Sequence, residues 1–467
     1  MARLLSFLLV LSCSRLAAAP AAVSYYRLRI EFSTTSDWSA LECDTANLLT
    51  MRLVTTSGTT TAVTATLSAL KLNQAQANAL ALDSVGMTAD FAVSSAALSQ
   101  PLSCVLQKGA WNASTVSVYS VAGNGSTQLI KTVNHTGSVP GNTSTNPLSF
   151  TIDLSALNNT AALEFQPAGF PKMLWAFYYP WYHMSSWTST ELRDHPVTLY
   201  SSDDPAAIAR QIDQAQSAGI DGFISSWWGP GSYEDGIFPT LLNLALERHF
   251  MVTVYLEIHT STGPQDAATI TNWLSYVISN YGNHPAFMKV NGKPIIPIYT
   301  AGSVPVATWQ QIFQSLEAQG LEAFYLADAT DPSYLEVFEG LHQYNNFSVT
   351  GIAQYDQSMV SAIHCYPILA DSPASKIAAI DVVPGYDDRL IPGRKGAVQD
   401  RENGAFYEGM FNAALASNPD WILITSWNEW WENTYIEPGQ LYGNQYLTLT
   451  REFADKWKGI GGRPSRR

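Results

Sequence analysis

Two kinds of patterning divide the chain. From about residue 23 to 165, short runs alternate apolar and polar positions, as in Tyr25-Tyr26-Arg27-Leu28-Arg29-Ile30-Glu31-Phe32 and Ser114-Thr115-Val116-Ser117-Val118-Tyr119. Turn-rich pieces such as Gly123-Asn124-Gly125-Ser126 separate them. A period of two puts alternate side chains on opposite faces, and this predicts a small antiparallel, sandwich-like all-β domain. From about residue 170 to 460, continuous apolar runs alternate with helical stretches. Strands are expected at Leu174–Trp181, Asp221–Trp228, Met251–Ile258, Pro294–Tyr299, Ala323–Ala327, Gly340–Asn345, Ala378–Tyr386 and Trp421–Trp427. Helices are expected between them, for instance at Pro205–Ala218, Ile237–Arg248, Thr269–Tyr281, Val306–Gln319 and Phe406–Ala416, and after the last strand at Tyr442–Trp457. Eight strands and eight helices in about 290 residues fit a (β/α)8 TIM barrel. A doubly wound open sheet would carry a glycine-rich phosphate loop after a strand, and none is present.

Composition narrows the partner. With 467 residues and 46% hydrophobic positions, the chain can bury a large core. A formal charge of −14 argues against a nucleic acid or an anionic membrane surface. The 14 Trp, 22 Tyr and 18 Phe instead suit a neutral ligand with apolar C–H faces and many hydroxyls, an oligo- or polysaccharide. The first residues have the form of a cleavable secretory signal over 1–22: Arg3, the apolar run Leu4–Leu11, then small residues at 17–22. That run is too short to cross a bilayer, and a secreted, monomeric protein is expected. Cys13 would leave with the signal, Cys43 and Cys104 would pair as a disulfide in an oxidising compartment, and Cys365 is expected to be a buried thiol. Glycosylation sequons stand at Asn112, Asn124, Asn134, Asn142, Asn158 and Asn346.

The chemistry of such a barrel sits where its strands end. Those ends carry Tyr178-Tyr179-Pro180-Trp181, Ser226-Trp227-Trp228, Glu257, Tyr299, Tyr344, Tyr386-Asp387-Asp388 and Trp427-Asn428-Glu429-Trp430-Trp431-Glu432. Tyr178, Tyr179, Trp227, Trp228, Glu257, Tyr299, Tyr344, Tyr386 and Asn428 are therefore expected to contact a sugar, with Glu257 holding its hydroxyls. Cleaving a glycosidic bond takes an acid for the departing oxygen and a second carboxylate near the reacting carbon. Glu429 and Glu432 supply that pair beside three tryptophans that would exclude water. They meet if the chain turns helically between them and stand roughly 10 Å apart by Cα if it stays extended. His183, His195 and His259 show no metal-ligand spacing, so they are expected to be hydrogen-bonding rim or core groups, and neither metal nor cofactor is expected. Asp387 and Asp388 fit a turn, and Asp203-Asp204-Pro205 a helix N-cap.

Several of these segments, in this order, resemble the endo-α-mannosidase family of glycoside hydrolases, family 99. They are Ala176-Phe177-Tyr178-Tyr179-Pro180-Trp181-Tyr182, Ala218-Gly219-Ile220-Asp221-Gly222-Phe223 with Ser226-Trp227, and His284-Pro285-Ala286-Phe287. Pro384-Gly385-Tyr386, Asn403-Gly404 with Tyr407, and Thr425-Ser426-Trp427-Asn428-Glu429-Trp430 with Glu432 complete the set. The resemblance covers about residues 172–458 and leaves the N-terminal region aside. It implies retaining cleavage of α-mannosidic bonds without metal. Glu429 would deprotonate the mannose 2-hydroxyl, which forms a 1,2-anhydro sugar, and Glu432 would protonate the leaving oxygen and later activate water. The resemblance places Tyr179, Trp227, Glu257 and Tyr344 in the sugar subsites, with Trp228 beside them. The family pattern of His-Glu-Gly is replaced here by Trp431-Glu432-Asn433, and the loop Gly229-Pro230-Gly231-Ser232 is short, so substrate choice is the property most open to change. A barrel hydrolase of another α-glycan, such as an α-glucan, and a secreted glycan-binding protein without catalysis are the competing readings.

Overall fold

The computed structural model describes residues 170–369 and 376–459 and, before them, strand segments between Val23 and Phe165 together with Asp153. The expected signal at 1–22, Cys13, Asn112, Asn124, Asn142 and Asn158 lie outside the described residues. So do the side chains of Cys43, Cys104, Asn134 and Cys365.

The N-terminal strands form two sheets, with every pairing antiparallel, as the alternating runs imply. In one of them the register sets Cys43 opposite Cys104 on neighbouring strands. In the C-terminal region eight parallel strands close on themselves. They are β1 (Met173–Tyr178), β2 (Gly222–Trp227), β3 (Met251–Glu257), β4 (Lys293–Tyr299), β5 (Phe324–Asp328), β6 (Gly340–His342), β7 (Ile377–Val382) and β8 (Trp421–Ile424). Each lies beside the next, and β8 lies beside β1. The barrel is therefore closed, with no exposed strand edge.

Seven α-helices follow these strands among the described residues: α1 (Pro205–Ser217), α2 (Tyr233–Glu247), α3 (Ala267–Asn280), α4 (Val306–Glu317), α5 (Ile352–Leu369), α6 (Ala405–Ser417) and α7 (Gln445–Lys458). The expected count of eight fails between β5 and β6. There Asp331 caps a five-residue 3-10 turn, Pro332–Glu336, and β6 begins at Gly340, which leaves no length for a full helix. Elsewhere the caps act as expected: Asp204 accepts Ala206 N–H at 2.9 Å, with Pro205 opening α1. β7 stops four residues short of Tyr386, because Pro384 and Gly385, at φ +156°, turn the chain into a two-residue ribbon, Tyr386–Asp387 against Val398–Gln399.

Alternation along the strands sorts side chains into two layers. On β1, Leu174, Ala176 and Tyr178 pack outward against the helices, while Trp175, Phe177 and the following Tyr179 point into the barrel. Trp175 fits because Gly222 faces it: a Cβ there would come within 2.3 Å of the indole. The interior is thus filled with rings up to its C-terminal mouth, where loops take over. At the Asn346 sequon the asparagine side chain is buried, and its amide nitrogen donates to the Asp381 carbonyl at 2.7 Å. The folded chain leaves no room there for a glycan.

Candidate active site

At that mouth a cleft of about 340 Å³ is lined by Tyr179, Trp181, Trp228, Glu257, Tyr299, Tyr344, Ile391, Arg394, Glu429, Trp431 and Glu432. Both expected catalytic carboxylates are in it. After β8 the chain does not stay extended. Residues 430–433 form a turn, closed by hydrogen bonds from Asn433 N–H to Trp430 O at 3.3 Å and from Thr434 N–H to Glu429 O at 3.2 Å. Ser426 stabilises the turn by accepting Glu429 N–H at 2.7 Å, and its hydroxyl is 2.9 Å from that of Thr434. Trp430 anchors the turn from below. It is buried against Tyr435, with ring centres 3.7 Å apart, and donates its indole N–H to Glu437. A helical turn places residues three apart on one side, and here that side is the cleft.

The two carboxyls differ in surroundings. Glu429 is buried and accepts Trp431 N–H at 2.9 Å, with the Tyr182 hydroxyl at 3.4 Å. Burial, and then the charge of nearby Glu432, pushes its carboxyl well above the usual range, while the backbone N–H groups of Trp431 and Glu432 pull the other way. Glu432 is also raised by burial, but Arg394, at 2.5 Å, opposes the rise.

Glu257 stands at the end of β3 and accepts the Ser226 hydroxyl at 2.7 Å. Burial lifts its carboxyl to about 8, which favours the protonated form, a hydrogen-bond donor to a sugar oxygen. Ser226 in turn accepts the Trp228 indole N–H at 3.1 Å, which fixes this half-exposed ring as a flat wall of the cleft. Across from it the Tyr179 and Tyr344 hydroxyls meet at 2.5 Å, and Asp328 holds the Tyr344 and Thr300 backbone N–H groups at 3.1 and 3.0 Å.

Four of the residues expected to contact a sugar do not line the cleft. Tyr178 faces the helices, where its hydroxyl donates to Gln211 at 2.8 Å and its ring stacks on Phe223. Trp227 likewise points outward and donates to Asp235 at 3.0 Å; the cleft is lined by its neighbour Trp228, with Ser226 buried behind. Asn428 is fully buried, and its amide clamps both the N–H and the carbonyl of Tyr179, at 2.7 and 3.0 Å. Tyr386 stands behind the cleft, where it takes a hydrogen bond from Arg394 at 3.0 Å and stacks on Phe347. These last two position groups that line the cleft without lining it themselves. The turn expected at Asp387 and Asp388 is a correction: Asp387 lies in the two-residue ribbon and pairs with Arg193 and Arg389, and Asp388 follows it and accepts Ala397 N–H at 2.6 Å. His183, His195 and His259 are not among the residues of the cleft.

Trp181, Ile391 and Arg394 line the cleft without having been singled out, and Trp431, one of the tryptophans expected beside the glutamate pair, lines it too. The two tryptophans stood within the quoted segments, adjacent to residues that were chosen. Arg394 had one signal, a cation in an otherwise acidic chain, on the loop that follows a strand end.

Comparison with known proteins agrees with this architecture. A model of glycosyl hydrolase family 99 matches residues 195–455, more than half of the chain. The glycoprotein endo-alpha-1,2-mannosidase of Mus musculus is 27% identical over 294 residues, which are 55% of this chain and 62% of that protein. Its Xenopus laevis counterpart is 28% identical over 297 residues, 55% of this chain and 64% of that one. The chain thus spans less than two thirds of these relatives. Among solved structures, the GH99 endo-alpha-mannosidase from Bacteroides thetaiotaomicron, in complex with bis-tris-propane, superposes with a TM-score of 0.54 at 25% identity, over 62% of this chain and 98% of that one. The chain belongs to glycosyl hydrolase family 99.

Proposed function

We propose that the protein is a secreted, endo-acting hydrolase of α-mannosidic bonds that retains configuration through a 1,2-anhydro sugar. The observation that carries this reading is the single turn after β8, which presents Glu429 and Glu432 to one aromatic-walled cleft. In an α-mannoside the C1–O bond to the leaving group and the C2–O bond are both axial and point in opposite directions. The 2-oxygen can therefore attack C1 from the rear. Glu429 takes the proton of the 2-hydroxyl as the C2 oxygen bonds to C1, and Glu432 gives its proton to the departing oxygen as the C1–O bond breaks. In the second step Glu432 takes a proton from water, whose oxygen bonds to C1; the anhydro C1–O2 bond breaks, and Glu429 returns its proton to O2. Each carboxyl ends as it began.

Arg394 has a part in the timing. Its ion pair favours the charged form of Glu432, whereas the first step needs the protonated form. A sugar entering between the two side chains loosens the Arg394–Glu432 pair, and the proton that burial favours on Glu429 passes to Glu432, which leaves Glu429 charged to act as the base. Glu257 and Trp228 supply polar and stacking contacts to the neighbouring saccharide units. Endo action and preference for mannose are further supported by the names of the relatives, which are endo-alpha-mannosidases. Secretion rests on the signal-like N-terminus.

The test is incubation of the purified chain with α-mannans, high-mannose N-glycans and α-glucans, with mass spectrometry of the products. Release of oligosaccharides from mannose-containing glycans alone is expected. Cleavage confined to α-glucans would replace the mannosidase reading, and tight glycan binding without any hydrolysis would replace the enzyme reading.

A further inference from the structure

We infer that Arg401 is the positioning residue that sets the spacing of the two glutamates; this rests on the proposed hydrolysis. Arg401 is buried, yet it makes no ion pair among the described residues. Its guanidinium lies within 4.4–4.7 Å of the ring centres of Tyr435, Tyr442 and Tyr446. One nitrogen, Nη2, donates to the carbonyls of Asn433 and Tyr435, both at 2.8 Å. Nε and Nη1 have no acceptor among the described residues. A buried cation without a carboxylate is costly, and an apolar side chain of similar size would fill the same space at less cost. Its place explains why it is there: the carbonyls it joins belong to the residues one and three positions after Glu432.

The turn needs such a clamp. Asn433 closes it at φ +55°, in the left-handed region. Glu432 O accepts Asp387 N–H at 2.8 Å, which ties the turn to the loop after β7. Arg401 adds a second tie, holding the chain that leaves the turn by the carbonyls of Asn433 and Tyr435. Gly385 leaves the room, since a Cβ there would stand 2.4 Å from Arg401 Cγ. Arg401 is not among the cleft-lining residues, so it acts through Glu432 and not on the sugar. A planar guanidinium can bond two carbonyls while its flat face lies on the rings, whereas a lysine ammonium is a compact point charge with no face to stack.

The experiment is steady-state kinetics of Arg401→Lys and Tyr442→Leu on an α-mannan oligosaccharide that wild type cleaves, with the folded fraction of each checked by thermal melting. Arg401→Lys is expected to lower kcat at least about tenfold with KM within about threefold, because the subsite walls stay in place. The pH profile of kcat should shift as well, because the coupling between the two carboxyls depends on their separation. Tyr442→Leu, which removes one ring and keeps the arginine, should lower kcat by a smaller factor in the same direction. A lower melting temperature with wild-type kcat and an unchanged pH profile in both variants would overturn the inference and leave Arg401 as a fold residue only. An inactive wild type would instead sink the proposed function, so the two failures are distinguishable.

Discussion

Glu429→Gln is expected to cut turnover on an α-mannan oligosaccharide by at least about 100-fold while KM changes little. An amide cannot accept the proton of the 2-hydroxyl, so the neighbouring oxygen stays a poor nucleophile. The amide still fills the same space and can still accept the Trp431 N–H that Glu429 accepts. Folding should be preserved for a further reason. Glu429 is a buried carboxyl that burial and the Glu432 charge both push toward its neutral form, and the substitution removes the cost of charging it. Comparison of kcat and melting temperature with wild type checks both statements. Near-normal turnover would remove Glu429 from the chemistry.

The second large effect depends on the leaving group. Glu432→Gln should also lose at least about 100-fold on a natural glycan, where the departing alkoxide needs a proton. With a mannosyl-mannose fluoride the departing fluoride needs little help. The first step should then run at a rate close to wild type, and hydrolysis of the anhydro sugar should stall because no group activates water. The expected trace is a burst of fluoride equal to the enzyme concentration, followed by slow turnover. Equal losses on both substrates, with no burst, would show that Glu432 does not serve the leaving oxygen. The Arg394 ion pair bears on this variant too, since the substitution leaves that guanidinium with Asp388 as its remaining carboxylate partner, at 3.4 Å.

Much of this architecture was legible in the chain, for physical reasons that also mark where legibility ends. Apolar runs such as Leu174–Phe177 and Val252–Leu256 had to be strands buried on both faces, and they are. Their ends were less legible, because pairing stops where turn chemistry intervenes. Pro384 and Gly385 end β7, and the chain leaves β8 after Ile424. The link between β5 and β6 looked like one more βα unit and is too short to be one. In the site, Glu429, Glu432, Tyr179, Trp228, Glu257, Tyr299 and Tyr344 all reach the cleft, since residues at strand ends face the mouth by topology. Three of the residues that stay outside the cleft stand one position from residues that line it: Tyr178 beside Tyr179, Trp227 beside Trp228, Asn428 beside Glu429. Composition cannot settle a one-residue choice of face, whereas the register of the strand does. Arg394 and Ile391 could not be placed by such reasoning, because a loop's path depends on contacts that come from elsewhere, here the pairing of Tyr386–Asp387 with Val398–Gln399. Arg401 is of the same kind, a cation whose role depends on three rings gathered from the 435–446 segment.

The convergence of Glu429 and Glu432 on one saccharide bond is tested most directly by a crystal structure of the Glu429→Gln protein soaked with an α-mannose oligosaccharide. The expected result is a sugar chain crossing the cleft beside Trp228 and Trp431. Its glycosidic oxygen should lie within hydrogen-bonding distance of the Glu432 carboxyl, with the 2-hydroxyl of the same mannose at the amide introduced at position 429. A chain bound elsewhere on the barrel, or bound in the cleft with the two side chains contacting different sugar units, would contradict it.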